Sequence, residues 1–216
     1  MKTSILSSGS RMATGTLKRA PLELGPDSAG IHLTYAEFDR ASYALGWRYE
    51  LIRGVLVVTP PPLEAERDPN EELGYWLRLY KDTHPEGKAL DKTLPEQTVD
   101  TGENLRRVDR IVWAGLGRKP LPEDVASILV EFVSKGKRNW QRDYVEKRDE
   151  YLAIGVLEYW VFDRFERTLT VFAKQGKKVK TRVLREDQIL TTPLLPGFEM
   201  PLAKLFALAD DWQPDR

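Results

Sequence analysis

The sequence predicts an α/β fold in which helices flank one mixed β-sheet, built as a single domain. The chain has 216 residues, a length that suits one domain with a sizeable core. Predicted helices lie before and between many short strands, the pattern of a sheet covered by helices. One run, "VASILVEFVS" (Val125–Ser134), is almost entirely apolar. At about eight to ten residues it is typical of a strand buried on both faces.

The N-terminal half begins with a helix, continues with two strands and ends with a longer helix. Thr34 can cap the first helix, with Glu37 as its capping-box partner. Two short strands are predicted around Arg53-Gly54, and three prolines end the second strand. The longer helix is predicted to begin at Asn70. Its apolar residues recur at helical spacing: Leu73, Trp76, Leu77 and Tyr80.

The C-terminal half is richer in strands. A turn at residues 101–104 joins the strands "KALDKTLPEQTVD" and "LRRVDRIVWAG" into a hairpin. After the buried strand, "RNWQRDYVEKRDEYLAIG" predicts a helix that Gly155 closes. Three strands follow: "VLEYWVFD", "TLTVFAK" and "KKVKTRVL". We expect a flexible N-terminal arm at residues 1–27, the domain at 28–210 and a short tail at 211–216.

Composition excludes several classes of function. The chain has 33 basic and 33 acidic residues, so it can offer nucleic acid only local basic patches. It has no cysteine, which removes disulfides, thiolate metal sites and cysteine nucleophiles. Its two histidines, His32 and His84, are far apart and lack a helical metal spacing. No apolar run reaches the roughly 18–20 residues of a membrane helix, and the N-terminus lacks a signal-peptide core. We therefore expect a cytoplasmic protein.

Two carboxylates and one lysine carry the strongest indication of function. Asp109 opens an apolar run within a predicted strand, Glu131 lies inside the buried strand, and Lys147 lies in the helix that follows. Burying an unpaired carboxylate is costly, so Glu131 needs a metal or a cation as partner. Carboxylates on adjacent strands can hold magnesium, and a nearby lysine adds charge to the transition state of phosphodiester hydrolysis. These residues therefore indicate a nuclease-type site.

The same residues also fit purely structural roles. Glu131 can form a buried ion pair with Arg107, Lys147 or Arg148, and Asp109 can be a solvated residue at a strand end. For Lys147 the alternative is a surface pair with Asp143. However, Tyr144, Lys147 and Tyr151 share one helical face, and the aromatic rings should turn that face towards the sheet.

A basic cluster follows the buried strand. Its members are Lys135, Lys137, Arg138 and Arg142, with Trp140 between them. Such a cluster can contact a phosphate backbone. A solvated loop and helix start would explain it equally well.

Five segments occur together in an order that resembles a known family. They are "YELIRG" (Tyr49–Gly54), the Asp109 strand, "VEFVS" (Val130–Ser134), "DYVEKRDEYLAIGVLEYWVFD" (Asp143–Asp163) and "LLPGF" (Leu194–Phe198). The chain resembles the Uma family of restriction-endonuclease-like proteins, a former domain of unknown function in the PD-(D/E)XK nuclease superfamily. The resemblance covers Leu33 to Phe206 and implies a restriction-endonuclease-like fold.

The resemblance also assigns roles to residues. It implies that Asp109 and Glu131 are the first and second metal-binding acids. Val133 occupies the superfamily's usual lysine position, and the family supplies the lysine from the following helix, which matches Lys147. Glu50, in the "YELI-G" segment, is a candidate for a further metal ligand or a strand-end charge.

The implied function is a Mg²⁺-dependent endonuclease, with Mn²⁺ as a substitute, acting on nucleic acid, with DNA as the expected substrate. The alternative is a non-catalytic module on the same fold that binds nucleic acid or a protein partner. The resemblance leaves a homodimer open. Two departures from the family pattern stand out: Val108 replaces the usual proline before the first acid, and Asn70 lies in a stretch that often carries histidine.

Overall fold

In the computed structural model, which describes residues 21–212, a mixed eight-stranded sheet is flanked by helices. The strands are β1 (Glu23–Leu24), β2 (Ser42–Tyr43), β3 (Arg48–Ile52), β4 (Val55–Thr59), β5 (Leu90–Asp100), β6 (Asn104–Ala114), β7 (Ile128–Phe132), β8 (Glu158–Asp163), β9 (Thr168–Gln175), β10 (Lys178–Arg185), β11 (Ile189–Thr192) and β12 (Leu195–Pro201). The helices are α1 (Tyr35–Arg40), α2 (Glu64–Thr83), α3 (Lys137–Gln141), α4 (Lys147–Ala153) and α5 (Leu202–Asp210). The predicted mixed α/β single-domain architecture is confirmed.

The large sheet has the order β10-β9-β8-β7-β6-β3-β4, and β5 pairs with β6. β7 and β8 are parallel, whereas the other pairs in this sheet are antiparallel. The parallel pair requires a crossover, which α3 and α4 provide. Two small two-stranded sheets, β1-β2 and β11-β12, stand apart from the large one.

The local signals for α1 and for the end of α4 are confirmed. The Thr34 hydroxyl accepts a hydrogen bond from the Glu37 amide at 3.2 Å, and the Glu37 carboxylate accepts one from the Thr34 amide at 2.9 Å. Gly155 has a φ of +108°. The next amide, of Val156, donates back to the Tyr151 carbonyl at 3.2 Å. This is a Schellman-type closure, which favours glycine at the left-handed position.

The predicted start of the longer helix was wrong. α2 begins at Glu64 rather than at Asn70, and Pro69 lies inside it. Proline lacks an amide hydrogen and usually ends a helix, so it made Asn70 look like the first residue. The first turn forms earlier because the Glu66 carboxylate accepts a hydrogen bond from the Leu63 amide at 3.2 Å. Ala65 and Pro69 are buried, so packing compensates for the missing backbone bond.

Two hydrophobic clusters cover the faces of the sheet. Val130 and Phe132 belong to the cluster that contains residues of α2 and α5. Leu129 and Val133 belong to the cluster that contains residues of α4. Because side chains alternate along a strand, Glu131 points to the same side as Leu129 and Val133, which is the side of α4.

Strand β6 has a gap in its pairing along one edge. β5 pairs with it along nearly its whole length, from Leu105 to Ala114. On the opposite edge, β3 pairs at Asn104 and Leu105, and β7 pairs at Arg110 to Val112. Residues 106–109 therefore have no strand partner on that edge. Their backbone groups are free to bind side chains, and Asp109 lies at the end of the gap.

Gly74 lies where α2 packs closely on the sheet. A methyl group added there would lie 2.6 Å from guanidinium atoms of the fully buried Arg110. Gly74→Ala should therefore lower the free energy of unfolding by about 1–3 kcal/mol, although alanine is normally the better helix former. Urea denaturation measures this. In an Arg110→Ala background the cost should disappear, and stabilisation by Gly74→Ala alone would contradict the close packing.

Residues 1–20 of the expected N-terminal arm and residues 213–216 of the expected tail lie outside the described residues. The rest of the arm, residues 21–27, contains β1 and the start of a short 3-10 turn. Within residues 21–212, no helix has both the length and the apolar character needed to cross a bilayer.

Candidate active site

Asp109 is held between two strands by hydrogen bonds to each carboxylate oxygen. Its Oδ2 accepts from the Phe132 backbone amide of β7 at 2.8 Å. Its Oδ1 accepts from Nη2 of Arg48, on β3, at 2.8 Å. The residue is only 5% exposed. Asp109 is therefore a buried, oriented carboxylate and not the solvated strand-end residue of the structural alternative.

Glu131 and Lys147 form a buried pair, and Tyr151 joins them. Lys147 Nζ donates to Glu131 Oε1 at 2.8 Å, and the Tyr151 hydroxyl donates to the same oxygen at 3.0 Å. Glu131 is 2% exposed and Lys147 is 3% exposed. The predicted inward face of the helix, carrying Lys147 and Tyr151, is thus present.

Burial sets the protonation preferences of this group. It raises the pKa of Glu131, against the opposing effect of Lys147. For Lys147, burial acts to lower the pKa, but the carboxylates of Glu131, Glu50 and Asp143 raise it overall. Burial also raises the pKa of Tyr151 well above its ordinary value, so the phenol stays neutral and donates a hydrogen bond to Glu131. Lys147 is therefore a charged donor in a nearly dry environment.

A single turn of π-helix, Arg142–Glu146, lies between α3 and α4 and delivers Lys147 to the cleft. Such turns occur frequently at functional sites, because the extra residue changes which side chains face inward. Here Asp143 and Lys147 both point inward, with Lys147 Nζ 4.0 Å from Asp143 Oδ1. Asp143 is fully buried and makes two hydrogen bonds with Arg142, at 2.8 and 3.2 Å.

Glu50 and Lys147 bind the unpaired edge of β6. The Glu50 carboxylate accepts from the Arg107 amide at 2.8 Å, and Lys147 Nζ donates to the Arg107 carbonyl at 3.1 Å. Lys147 Nζ also lies 3.6 Å from Glu50 Oε1. Burial acts to raise the pKa of Glu50, but Lys147, the Arg107 amide and Arg106 lower it overall. Glu50 thus lies in the cleft as an ionised carboxylate.

The side chains around this gap enclose a small cleft. Its volume is about 20 Å³, room for roughly one water molecule. Glu50, Asp109, Glu131 and Lys147 line it, together with Arg48 and Arg142. The structure therefore brings together the two predicted acids, the predicted lysine and the candidate Glu50.

The cleft has hard oxygen donors suited to magnesium but no complete protein cage for it. Within residues 21–212, no three acidic or histidine side chains are grouped closely enough to hold an ion by themselves. Magnesium typically uses one or two carboxylates and completes its shell with waters and substrate phosphate. Asp109 and Glu131, facing a space of about one water, fit that mode of binding.

Arg48 was missed as a site residue. It lies two positions before Glu50 on β3, so both side chains leave the same face of the strand. That spacing could have identified it. Its contact with Asp109, across 61 positions of sequence, could not be read from the pattern.

Asn70 of α2 supports the cleft from the other side, and Glu66 lies one turn earlier in the same helix. Asn70 donates to the Asp109 carbonyl at 2.9 Å and accepts from Arg110 at 2.7 Å. Glu66 is buried, and its Oε1 has no hydrogen-bond partner among the described residues. Burial raises the pKa of Glu66. The capping role of Glu66 was invisible as long as the helix seemed to begin at Asn70.

The basic cluster divides into exposed and partly buried members. Lys135, Lys137 and Arg138 are exposed on the loop and first turn after β7. Arg142 is half-buried, lines the cleft and is engaged by Asp143. The three exposed side chains are free to meet a ligand beside the cleft, whereas Arg142 belongs to the ion pairs around Lys147.

Comparison with models of protein families identifies the family of this chain. A family model, Uma2, described as "putative restriction endonuclease", matches residues 35–203. The chain belongs to the Uma2 family. The matched range includes every residue of the cleft described above. No curated protein matches the sequence significantly.

A solved structure agrees with this Uma2 assignment at the level of the fold. One similar structure is a "putative nuclease belonging to DUF820" from Anabaena variabilis, at 15% identity and a TM-score of 0.63. The match covers 82% of this chain and 99% of that one. The type IIG restriction endonuclease BpuSI matches at 10% identity and a TM-score of 0.36, over 69% of this chain and 16% of that one. The first of these two matches supports the predicted restriction-endonuclease-like fold of the Uma2 protein.

Proposed function

We propose that this Uma2 protein is an endonuclease that hydrolyses phosphodiester bonds of nucleic acid, DNA foremost, with Mg²⁺ as cofactor and Mn²⁺ as a substitute. One observation carries the proposal. Asp109 on β6, Glu131 on β7 and Lys147 on α4 converge on a single cleft with room for about one water. Family membership supports the same class of reaction.

Asp109, Glu131 and Glu50 are the residues that would hold the ion. When bound, the metal neutralises charge on the phosphate and lowers the pKa of a bound water. The strands fix the carboxylates: the Phe132 amide orients Asp109, and Tyr151 orients Glu131. Carboxylates fixed by their own hydrogen bonds need little rearrangement to hold a cation.

Lys147 supplies the positive charge beside the reacting phosphate. Its ammonium has the raised pKa described above and is almost fully buried, so it interacts strongly with charge that develops nearby. From this position it would orient the attacking water or stabilise the charged transition state. Lys135, Lys137 and Arg138 would contact the phosphate backbone outside the cleft, and Arg142 would do so at its rim.

A second candidate is a non-catalytic module that binds nucleic acid or a protein partner on the same fold. The observation that favours it is the pairing of the acids: Asp109 is bound by Arg48, and Glu131 by Lys147. Such pairs also occur in structural networks. The module would bind nucleic acid without turnover and would have no Asp109-dependent metal site.

Wild-type cleavage assays combined with metal calorimetry separate the two functions. Plasmid and labelled oligonucleotides should be cut with Mg²⁺ or Mn²⁺ and left intact with EDTA. Asp109→Ala should lose both cleavage and the calorimetric Mn²⁺ site, because it removes a ligand. Asp91→Ala, a half-buried aspartate outside the cleft, is the matched control and should retain both. Cleavage that persists in Asp109→Ala would refute the assignment, and binding without turnover would favour the module.

A further inference from the structure

A larger cavity adjoins the cleft. Its volume is about 760 Å³, within the range of small-molecule sites. It lies between the turn that leads into β3, the prolines before α2 and the β5–β6 hairpin. Arg48 and Arg107 line both this cavity and the cleft. A ligand whose phosphate reached the cleft could therefore extend directly into the cavity.

Aromatic rings form one wall of the cavity. Tyr43 packs against Tyr49 with ring centroids 4.7 Å apart, and Phe38 packs edge-on against Tyr43 at 5.4 Å. The tyrosine hydroxyls are tied to backbone carbonyls: Tyr43 donates to Phe38, and Tyr49 donates to Ala44 at 3.0 Å. This wall is therefore held in place before any ligand binds.

Trp47 completes the lining from the turn before β3. The residue is 40% exposed, and its indole N–H donates to no group within residues 21–212. The neighbouring Leu45 is 95% exposed. An exposed aromatic ring with a free donor, beside a cavity, is suited to a flat ligand that carries hydrogen-bond acceptors.

The charges of the cavity favour an anionic ligand. Arg48, Arg67 and Arg107 line it, against Asp39 and Glu96. The two arginines next to the cleft share Glu96, each with its Nε 3.3 Å from Glu96 Oε2. Arg67 is exposed and pairs with no carboxylate among the described residues. Aromatic faces combined with guanidinium groups are typical of sites for single-stranded nucleic acid.

We propose that this cavity is a subsite for an unpaired base next to the scissile phosphate, so that the substrate is single-stranded or carries an unpaired nucleotide there. This inference depends on the proposed function, because it places the scissile phosphate at the mouth of the cleft. A base inside a duplex cannot stack on Trp47 unless it leaves the helix, which costs a few kcal/mol. Stacking accepts every base, so the subsite favours strand form rather than sequence.

Binding of labelled oligonucleotides tests the subsite. Fluorescence anisotropy is measured with a fluorescein-labelled single strand and with its blunt duplex, using Ca²⁺ in place of Mg²⁺. The wild type should bind the single strand more tightly. Trp47→Ala should weaken single-strand binding about tenfold, the loss expected for one stacked base, and should leave duplex binding unchanged. Trp212 is 51% exposed, lies outside the cavity and donates to Asp68, so Trp212→Ala should bind like the wild type.

If Trp47→Ala lowers the thermal midpoint of unfolding, Arg67→Glu provides a second test of the subsite, because an exposed arginine can be replaced without unfolding the protein. It should also weaken single-strand binding. Equal affinity of wild type and Trp47→Ala, or a wild-type preference for duplex, would overturn the subsite and leave the nuclease proposal standing. A wild type that binds neither form would overturn both. A dimer in sedimentation that Trp47→Ala dissociates would assign the cavity to a second copy and overturn the subsite.

Discussion

Replacing Lys147 with methionine should abolish metal-dependent cleavage and lower the free energy of unfolding by about 3–5 kcal/mol. The stability loss follows from burial. Methionine leaves Glu131 without its cation, because the donor at 2.8 Å disappears from a carboxylate that is 2% exposed. The loss of cleavage, at least about 100-fold, follows from removing a charged donor aimed at the site of reaction. Urea denaturation and a cleavage assay well below the unfolding temperature measure the two effects separately.

Two further variants distinguish catalysis from mere destabilisation. The double variant Lys147→Met/Glu131→Gln no longer buries an unpaired charge, so it should regain most of the stability while remaining inactive. Leu77→Ala removes a fully buried side chain of α2 in the hydrophobic cluster on the opposite face of the sheet, outside the cleft. It should lose stability yet retain cleavage per folded molecule. Equal losses of cleavage in Leu77→Ala and Lys147→Met would mean that Lys147 has only a structural role.

Local signals made much of the fold predictable. Thr34 and Glu37 form a capping box within four residues, and Gly155 closes α4 through its own backbone geometry. Such contacts join residues that are close in sequence, so a local sequence pattern can predict them. The predicted start of α2 was wrong because it relied on the same kind of local signal. Proline favours a helix end, whereas burial of residues near Pro69 keeps α2 intact.

The residues of the candidate site could be predicted from the sequence, but the way in which the strands and the helix bring them together could not. Asp109, Glu131 and Lys147 attract attention because charges in or beside apolar runs need partners. The gap on β6, by contrast, arises because β3 and β7 pair with the same edge and leave residues 106–109 between them. No local pattern encodes that meeting of strands distant in sequence. The π-helical turn that aims Lys147 was likewise hidden inside an ordinary helical periodicity.

Replacing Arg48 with alanine should have opposite effects on metal binding and on cleavage. Its guanidinium occupies Asp109 Oδ1 at 2.8 Å, where a metal ion would compete for the same oxygen. Without Arg48, we expect calorimetry to show Mn²⁺ binding about tenfold tighter, equivalent to roughly 1.4 kcal/mol. Cleavage should nevertheless fall about 100-fold, because a guanidinium released from Asp109 would be placed to bind the phosphate, and alanine cannot replace it.

Arg107→Ala is the matched control for this prediction. Arg107 and Arg48 both contact Glu96 Oε2 at 3.3 Å, but only Arg48 reaches Asp109. Arg107→Ala should therefore leave Mn²⁺ affinity unchanged. Weaker metal binding by Arg48→Ala would mean that the guanidinium supports the carboxylate rather than competing for it. Tighter Mn²⁺ binding combined with slower cleavage, seen in Arg48→Ala but not in Arg107→Ala, would instead identify Arg48 as a cation that holds Asp109 in place until metal and substrate bind together.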